Sequence, residues 1–167
     1  MISIVAICQD NGIGKDGQLL RPISNDLKRF KKITMGKVLI YGRKTLDTFP
    51  GKKVLPGRLN LILSRSLKEG EVKDAVICDS IPSLLAKLEA LKAEGRTEDD
   101  FCVIGGASVY ESLLPYTHAV NLTRLDAVYP ADSYFPDLPE EGFVCKEESP
   151  WQMDGDLRYR YEYWERI

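Results

Sequence analysis

Histidine is almost absent: 167 residues include one, His118. It follows Leu114-Pro115-Tyr116-Thr117 and reads as a solvated turn residue. Without a second imidazole, Ser-His and Cys-His nucleophilic mechanisms lose their base, and histidine-rich metal sites lose their ligands. Cysteine is present but badly spaced for chemistry. Cys8, Cys78, Cys102 and Cys145 lie far apart in apolar runs, with no C-x-x-C pair and no zinc-ligand spacing. Buried, reduced thiols in the cytoplasm are the expectation, and no metal site is foreseen. Long apolar runs are missing too; none approaches the roughly 20 residues of a membrane span. The opening Met1-Ile2-Ser3-Ile4-Val5-Ala6-Ile7 lacks the basic flank and the length of a secretory leader and reads as a strand. Charge of one sign is missing as well. A formal net charge of −2 gives no footprint for nucleic acid or an anionic membrane.

What remains is ordinary globular material: 44% hydrophobic and 29% charged residues, in a length that suits one domain spanning residues 1–167. Short apolar runs alternate with amphipathic stretches, the pattern of an α/β sheet protein. The runs predict strands over Ile2–Cys8, Val38–Tyr41, Leu59–Leu63, Ala75–Cys78, Phe101–Ile104, Ala119–Leu125, Phe143–Glu147 and Arg158–Trp164. Several are apolar throughout, as in parallel strands covered on both faces. Helices are predicted over Asn25–Met35, Arg43–Thr48, Ser83–Glu94 and Ser108–Leu114. Asp154-Gly155 is a hairpin-turn signal before the last strand, so an antiparallel pair should close a mostly parallel sheet. No repeat, linker or low-complexity segment interrupts the chain.

Four segments could carry chemistry. Gly12-Ile13-Gly14-Lys15-Asp16-Gly17 matches a dinucleotide fingerprint, but Pro22 forbids the helix that should follow. It reads as a flexible glycine loop, or as a lid. Ile104-Gly105-Gly106-Ala107-Ser108-Val109-Tyr110 runs from strand through glycines into a helix. That is either a tight turn or a place where free amides meet an anion. Gly42-Arg43-Lys44-Thr45 and Leu63-Ser64-Arg65 end two further strands with cations. Each alone could be surface charge; together they suit a ligand with several phosphates at the carboxyl ends of strands.

The fourth is Asp26. Ser24 is the expected N-cap of its helix. At 100° per residue, Asp26, Leu27, Phe30, Ile33 and Thr34 share an arc of about 120°, and Lys28, Arg29, Lys31 and Lys32 occupy the remainder. The acid therefore lies on the apolar, core-facing stripe. Either it is a first-turn partner for the helix dipole, or it is a buried carboxylate with a raised pKa that binds a heterocycle or handles a proton.

The order and spacing of these segments resemble dihydrofolate reductase along the whole chain. The resemblance is carried by Ile13-Gly14, Asp26-Leu27…Phe30-Lys31…Thr34, Gly42-Arg43-Lys44-Thr45, Leu55-Pro56-Gly57-Arg58, Ile104-Gly105-Gly106-Ala107…Val109-Tyr110 and Ala131-Asp132…Phe135-Pro136. It implies a central eight-stranded, mostly parallel sheet, an antiparallel C-terminal strand and about four flanking helices. It also implies hydride transfer from NADPH to C6 of 7,8-dihydrofolate with protonation of N5. No long exposed apolar stripe is evident in the sequence, so a monomer is expected.

The resemblance makes Asp26 the acid that holds the pteridine and Thr123 the hydroxyl that supports it through water. Ile4, Ala6, Leu27, Phe30, Phe49 and Ile104 would line the substrate cleft, and Arg58 would pair with the α-carboxylate of the glutamate tail. On the cofactor side, Arg43, Lys44, Ser64 and Arg65 match positions around a 2′-phosphate. Gly105, Gly106, Ala107, Ser108 and Val109 match the diphosphate site, where the Gly105-Gly106 peptide is often cis. Ala6, Ile13, Gly14, Leu19, Gly42, Thr45, Leu63, Ile104 and Tyr110 complete that implied set.

One departure from the family stands out: Leu20-Arg21 replaces a common Pro-Trp, and Arg21 is expected to face solvent and leave Asp26 alone. Two alternatives fit parts of the pattern. A pyrimidine reductase of riboflavin synthesis shares fold and cofactor, but Asp26 followed by Phe30, with Leu55-Pro56-Gly57-Arg58, points to folate. A non-catalytic nucleotide-binding module would leave Asp26 unexplained.

Overall fold

The computed structural model describes residues 1–167. In chain order the elements are β1 (Ile2–Ile7), β2 (Gly12–Lys15), β3 (Gln18–Leu19), α1 (Ser24–Thr34), β4 (Val38–Gly42), α2 (Arg43–Leu46), β5 (Leu59–Leu63) and β6 (Ala75–Cys78). There follow α3 (Ile81–Ala93), β7 (Phe101–Gly105), α4 (Ala107–Leu113), β8 (Ala119–Leu125), β9 (Ser133–Tyr134), β10 (Phe143–Glu148), β11 (Gln152–Asp154) and β12 (Leu157–Arg166).

Eight strands pair in the order β10-β12-β8-β1-β7-β4-β5-β6, and β11 adds beside β12. All pairings from β8 to β6 are parallel, whereas β12 runs antiparallel to β8, β10 and β11. This is the expected α/β sheet with four helices. The Asp154-Gly155 hairpin joins β11 to β12, with Gly155 at φ 62°.

The central strands bury both faces, which is why β4 reads as an unbroken apolar run. β1 behaves differently. Met1, Val5 and Ile7 join the main core, while Ile4 and Ala6 stay half-buried on the other face, beneath a cleft.

Several local expectations need correction. Ser24 is not the cap of α1: the N-cap is Ile23, which is extended and makes no side-chain cap bond. Ile23 is instead buried among Cys8, Leu125, Leu157 and Tyr159, so packing fixes the helix entry. Helix α3 starts two residues earlier than expected. Ser80 caps it by accepting from the Ser83 amide at 3.2 Å, and Pro82 is tolerated in the first turn.

The glycine segment is not a loose loop. β2 pairs with β3 on one side and β9 on the other, and the Asp132 carboxylate accepts from the Asp16 amide at 2.9 Å. His118 is not merely solvated: its Nε2 lies 2.9 Å from Asp99 Oδ1. Cys8, Cys78 and Cys102 are buried free thiols as expected, but Cys145 is only half-buried because β10 is an edge strand.

Candidate active site

Helix α1 crosses the sheet where β1 and β8 lie side by side, with Ala6 opposite Thr123. Its apolar stripe roofs a cleft more than it fills a core. Of its residues only Thr34 is buried, and Leu27 is 50% exposed. The core-facing expectation for Leu27 is thereby corrected; the stripe holds the side chains over the cleft. Ala6, Ile13, Leu19, Asp26 and Leu27 line one end of it. Ile4, Phe30 and Ile104 are half-buried on the surrounding elements.

Asp26 is half-buried, and its Oδ1 accepts from Thr123 Oγ1 at 2.6 Å. The link implied through water is therefore a direct hydrogen bond. Burial pushes the carboxyl above the usual carboxylate range, opposed by the Thr123 bond and by the nearby Arg29 charge. Arg21 takes no part in this. Its Nη1 is 2.7 Å from Asp154 Oδ2 and 2.8 Å from the Pro22 carbonyl, so it ties the loop before α1 to the β11–β12 hairpin.

The far side of the cleft is set by a residue that sequence reasoning passed over. Asn60, buried inside β5, accepts from Tyr41 Oη at 2.8 Å and from the Leu55 amide at 3.3 Å. It also donates to the carbonyls of Leu55 and Arg58 at 2.9 and 3.0 Å. An asparagine in the apolar run Leu59-Asn60-Leu61 was the available signal, since a buried amide must find partners. Asn60 thus fixes the Leu55–Arg58 turn. There Arg58 donates to Thr34 Oγ1 at 3.2 Å and to the Pro56 carbonyl at 3.0 Å. Phe49 packs edge-on against Tyr41 at 5.2 Å.

The three glycine- or cation-marked strand ends are neighbours. Tyr41 pairs with Gly105, and Gly42 with Leu63, so β7, β4 and β5 end side by side. Gly105 has φ 135°, and a Cβ there would lie 3.2 Å from Thr45 Oγ1; at Gly42 it would meet Val109 at 3.2 Å. The glycines therefore create a close backbone approach that side chains would fill. The Gly105-Gly106 peptide is cis, as the resemblance implies. Gly106 caps α4 without a side chain, and the first-turn amides of Ala107 and Ser108 precede the helical ladder.

Arg43, Lys44 and Arg65 are exposed and make no ion pair. Two other residues are less free. Ser64 Oγ accepts from the Ser66 and Leu67 amides at 3.2 Å, and Tyr110 is buried with its hydroxyl on the Ile4 carbonyl at 2.6 Å. Ile13, Gly14 and Leu19 lie on the β2–β3 flap at the cleft mouth.

A sheet whose strand ends offer a glycine cradle and free cations, next to a half-buried acid over an apolar cleft, has the architecture of a nucleotide-dependent α/β reductase. The chain belongs to the dihydrofolate reductase family, whose model, described as "Dihydrofolate reductase", matches residues 1–166. Dihydrofolate reductase of Gallus gallus is 32% identical over 180 residues, covering 98% of this chain and 95% of its own length. That of Enterococcus faecium is 30% identical over 168 residues, covering 99% and 96%. Dihydrofolate reductase type 9 of Escherichia coli is 38% identical over 122 residues, covering 73% and 68%. These likenesses favour neither a pyrimidine reductase of riboflavin synthesis nor a non-catalytic module. A nucleotide cofactor follows from the family.

Proposed function

We propose that this chain reduces 7,8-dihydrofolate to 5,6,7,8-tetrahydrofolate with NADPH, as a cytoplasmic, single-domain monomer supplying one-carbon metabolism, without nucleic acid or membrane partners. The observation that carries this reading is the half-buried Asp26, fixed by Thr123 and surrounded by apolar walls. No helix is long and apolar enough to cross a membrane.

Asp26 holds the amino-pyrimidine edge of the pterin. Thr123 fixes the rotamer by donating to Oδ1, and Oδ2, which makes no hydrogen bond within the protein, is left for the ring. Because burial makes the carboxylate costly, Asp26 gains most by sharing a proton with the heterocycle, which raises the ring's proton affinity. A water then delivers the proton to N5. Ile4, Ala6, Leu27, Phe30, Phe49 and Ile104 supply the apolar contact that orients the ring and excludes bulk water. Arg58, already held by Thr34 and Pro56, offers its fork to the α-carboxylate of the substrate's tail.

The cofactor fits the residues present. The Gly105-Gly106 cradle and the first amides of α4 suit a diphosphate. Unpaired Arg43, Lys44 and Arg65, next to Ser64, suit the 2′-phosphate that separates NADPH from NADH. Bound NADPH supplies the hydride for C6. Gly42, Thr45, Leu63, Val109 and Tyr110 support the cradle, and Ile13, Gly14 and Leu19, on the flap at the cleft mouth, complete the cofactor contacts.

The test compares NADPH oxidation with dihydrofolate against oxidation with a ribosylaminopyrimidine. Turnover of dihydrofolate alone is expected; turnover of the aminopyrimidine, or of neither, would contradict the reading.

A further inference from the structure

Arg29 is one helical turn beyond Asp26, on the edge of α1 that faces β12. Its guanidinium carbon sits 4.0 Å above the centre of the Tyr161 ring. Tyr161 is the residue of β12 paired with Thr123, the same threonine that bonds Asp26. The acid, its hydroxyl donor, the aromatic shelf and the cation therefore form one contiguous group across α1, β8 and β12. None of these links follows from their distance in sequence.

The arrangement differs from an ion pair. Arg29 makes no salt bridge or hydrogen bond to Asp26, although the two charges are close enough to interact. A guanidinium bonded directly to the carboxylate would occupy the oxygens that a heterocycle needs. Stacked on an aromatic face, the cation keeps its field and yields its position. We propose that Arg29 is a positioning residue for Asp26: the Tyr161 ring holds its guanidinium beside the acid and off its oxygens, so that a fixed positive charge governs when Asp26 takes up a proton. This rests on the reading of Asp26 as the pterin-holding acid.

No other charge near Asp26 can serve this purpose. Within the preceding loop, Arg21 borders the same cleft but is committed to Asp154. β1 and β8 present Ile4, Ala6 and Thr123, none of which is charged. β12 presents Tyr161 with Tyr159 behind it; burial and the Asp26 charge push the Tyr161 hydroxyl up, so it stays neutral. Lys28, on the same helix, is exposed. Arg29 is thus the one free cation beside the acid. It opposes the effect of burial, which would otherwise push the Asp26 carboxyl up further.

The sign is fixed by electrostatics. Removing the cation destabilises the carboxylate, so Asp26 should protonate at higher pH. The experiment follows the Asp26 carboxyl carbon by 13C NMR across pH in aspartate-labelled protein without ligands, for wild type, Arg29→Met and Arg29→Lys. In parallel, the pH profile of kcat/KM for dihydrofolate is measured. Arg29→Met should raise the NMR midpoint by about half a pH unit and carry the alkaline fall in kcat/KM with it. Arg29→Lys, which keeps the charge, should stay near wild type.

Arg29→Gln provides a second neutral variant should the methionine protein fold poorly, with the same shift expected. Neutral variants titrating like wild type would overturn the proposal. So would a lysine variant that moves as far as the neutral ones. The NMR arm needs no turnover, so an error in the substrate reading would appear as an inert wild type and leave the Arg29 result intact.

Discussion

Two carboxylates lie against opposite faces of the β8–β12 pair, Asp26 reaching it from α1 and Glu162 standing on β12 itself, and the protein treats them oppositely. Glu162 follows Tyr161 on β12 and points to the other face of the sheet, paired with Leu122 where Tyr161 is paired with Thr123. It is 3% exposed and accepts from Arg160 Nε at 2.9 Å, Trp164 Nε1 at 3.0 Å and Arg124 Nη2 at 3.2 Å. Burial pushes its carboxyl up, yet the bonds from Arg124, Trp164 and Arg160 prevail and hold it below the usual range. Asp26 receives one hydrogen bond and an unbonded cation, so burial prevails and its carboxyl rises. A saturated acid locks structure; an acid left partly unsatisfied keeps an oxygen and a proton affinity for a ligand.

The largest expected effect tests the unsatisfied member. Asp26→Asn should lower dihydrofolate turnover near neutral pH by about 100-fold or more. It should also raise the melting temperature at pH values where Asp26 is ionised, because a half-buried charge is removed. The sign follows from the raised folded-state pKa: ionised Asp26 costs stability above that value, and the cost disappears as pH falls through it. The stability advantage of Asp26→Asn should accordingly vanish in acid.

Glu162→Gln should invert this pattern. It leaves Arg124 and Arg160 facing a neutral amide, and urea unfolding should show a loss of about 2–4 kcal/mol, with turnover per folded molecule retained. Glu162 is held low, so its stabilisation is present above the unfolded carboxyl value and is lost as pH falls through the folded one. Thr123→Val is expected to act more mildly on Asp26. It removes the 2.6 Å bond, shifts the Asp26 titration upward and costs turnover several-fold rather than abolishing it. Smallest of all, Arg21→Ala should cost at most about 1 kcal/mol, because Arg21–Asp154 is a partly exposed pair. The alkaline limb of its pH–rate profile should not move.

The contrast between these acids also marks what the sequence could disclose. The apolar runs Val38-Leu39-Ile40-Tyr41 and Phe101-Cys102-Val103-Ile104 announced buried strands, because a fully covered strand needs no polar residue. Asp26 was conspicuous because a local 3.6-residue period placed it on the wrong face. Glu162 was not: it alternates with tyrosines as an ordinary solvent-facing residue would, and only tertiary pairing with Arg124, 38 positions away, shows it buried.

The same limit hid β2, β3 and β9, whose ladders join Gly12 to Tyr134 across residues with little strand propensity. Thr123 and Asp26 meet over a separation of 97 residues. The family resemblance linked them, although through water and not directly. Asn60 could have been inferred from an amide inside an apolar run; Arg29 on Tyr161 could not, because nothing local ties a helix cation to a strand ring.

One measurement bears most directly on the claim that Asp26 is the working acid: the pH dependence of NADPH oxidation with dihydrofolate, compared between wild type and Asp26→Asn. Wild-type turnover should fall toward alkaline pH as Asp26 loses its proton. The asparagine variant should be poor at neutral pH and recover toward acid, where solution supplies protonated substrate. An asparagine variant that matched wild type at neutral pH and lost activity along the same alkaline limb would contradict the account.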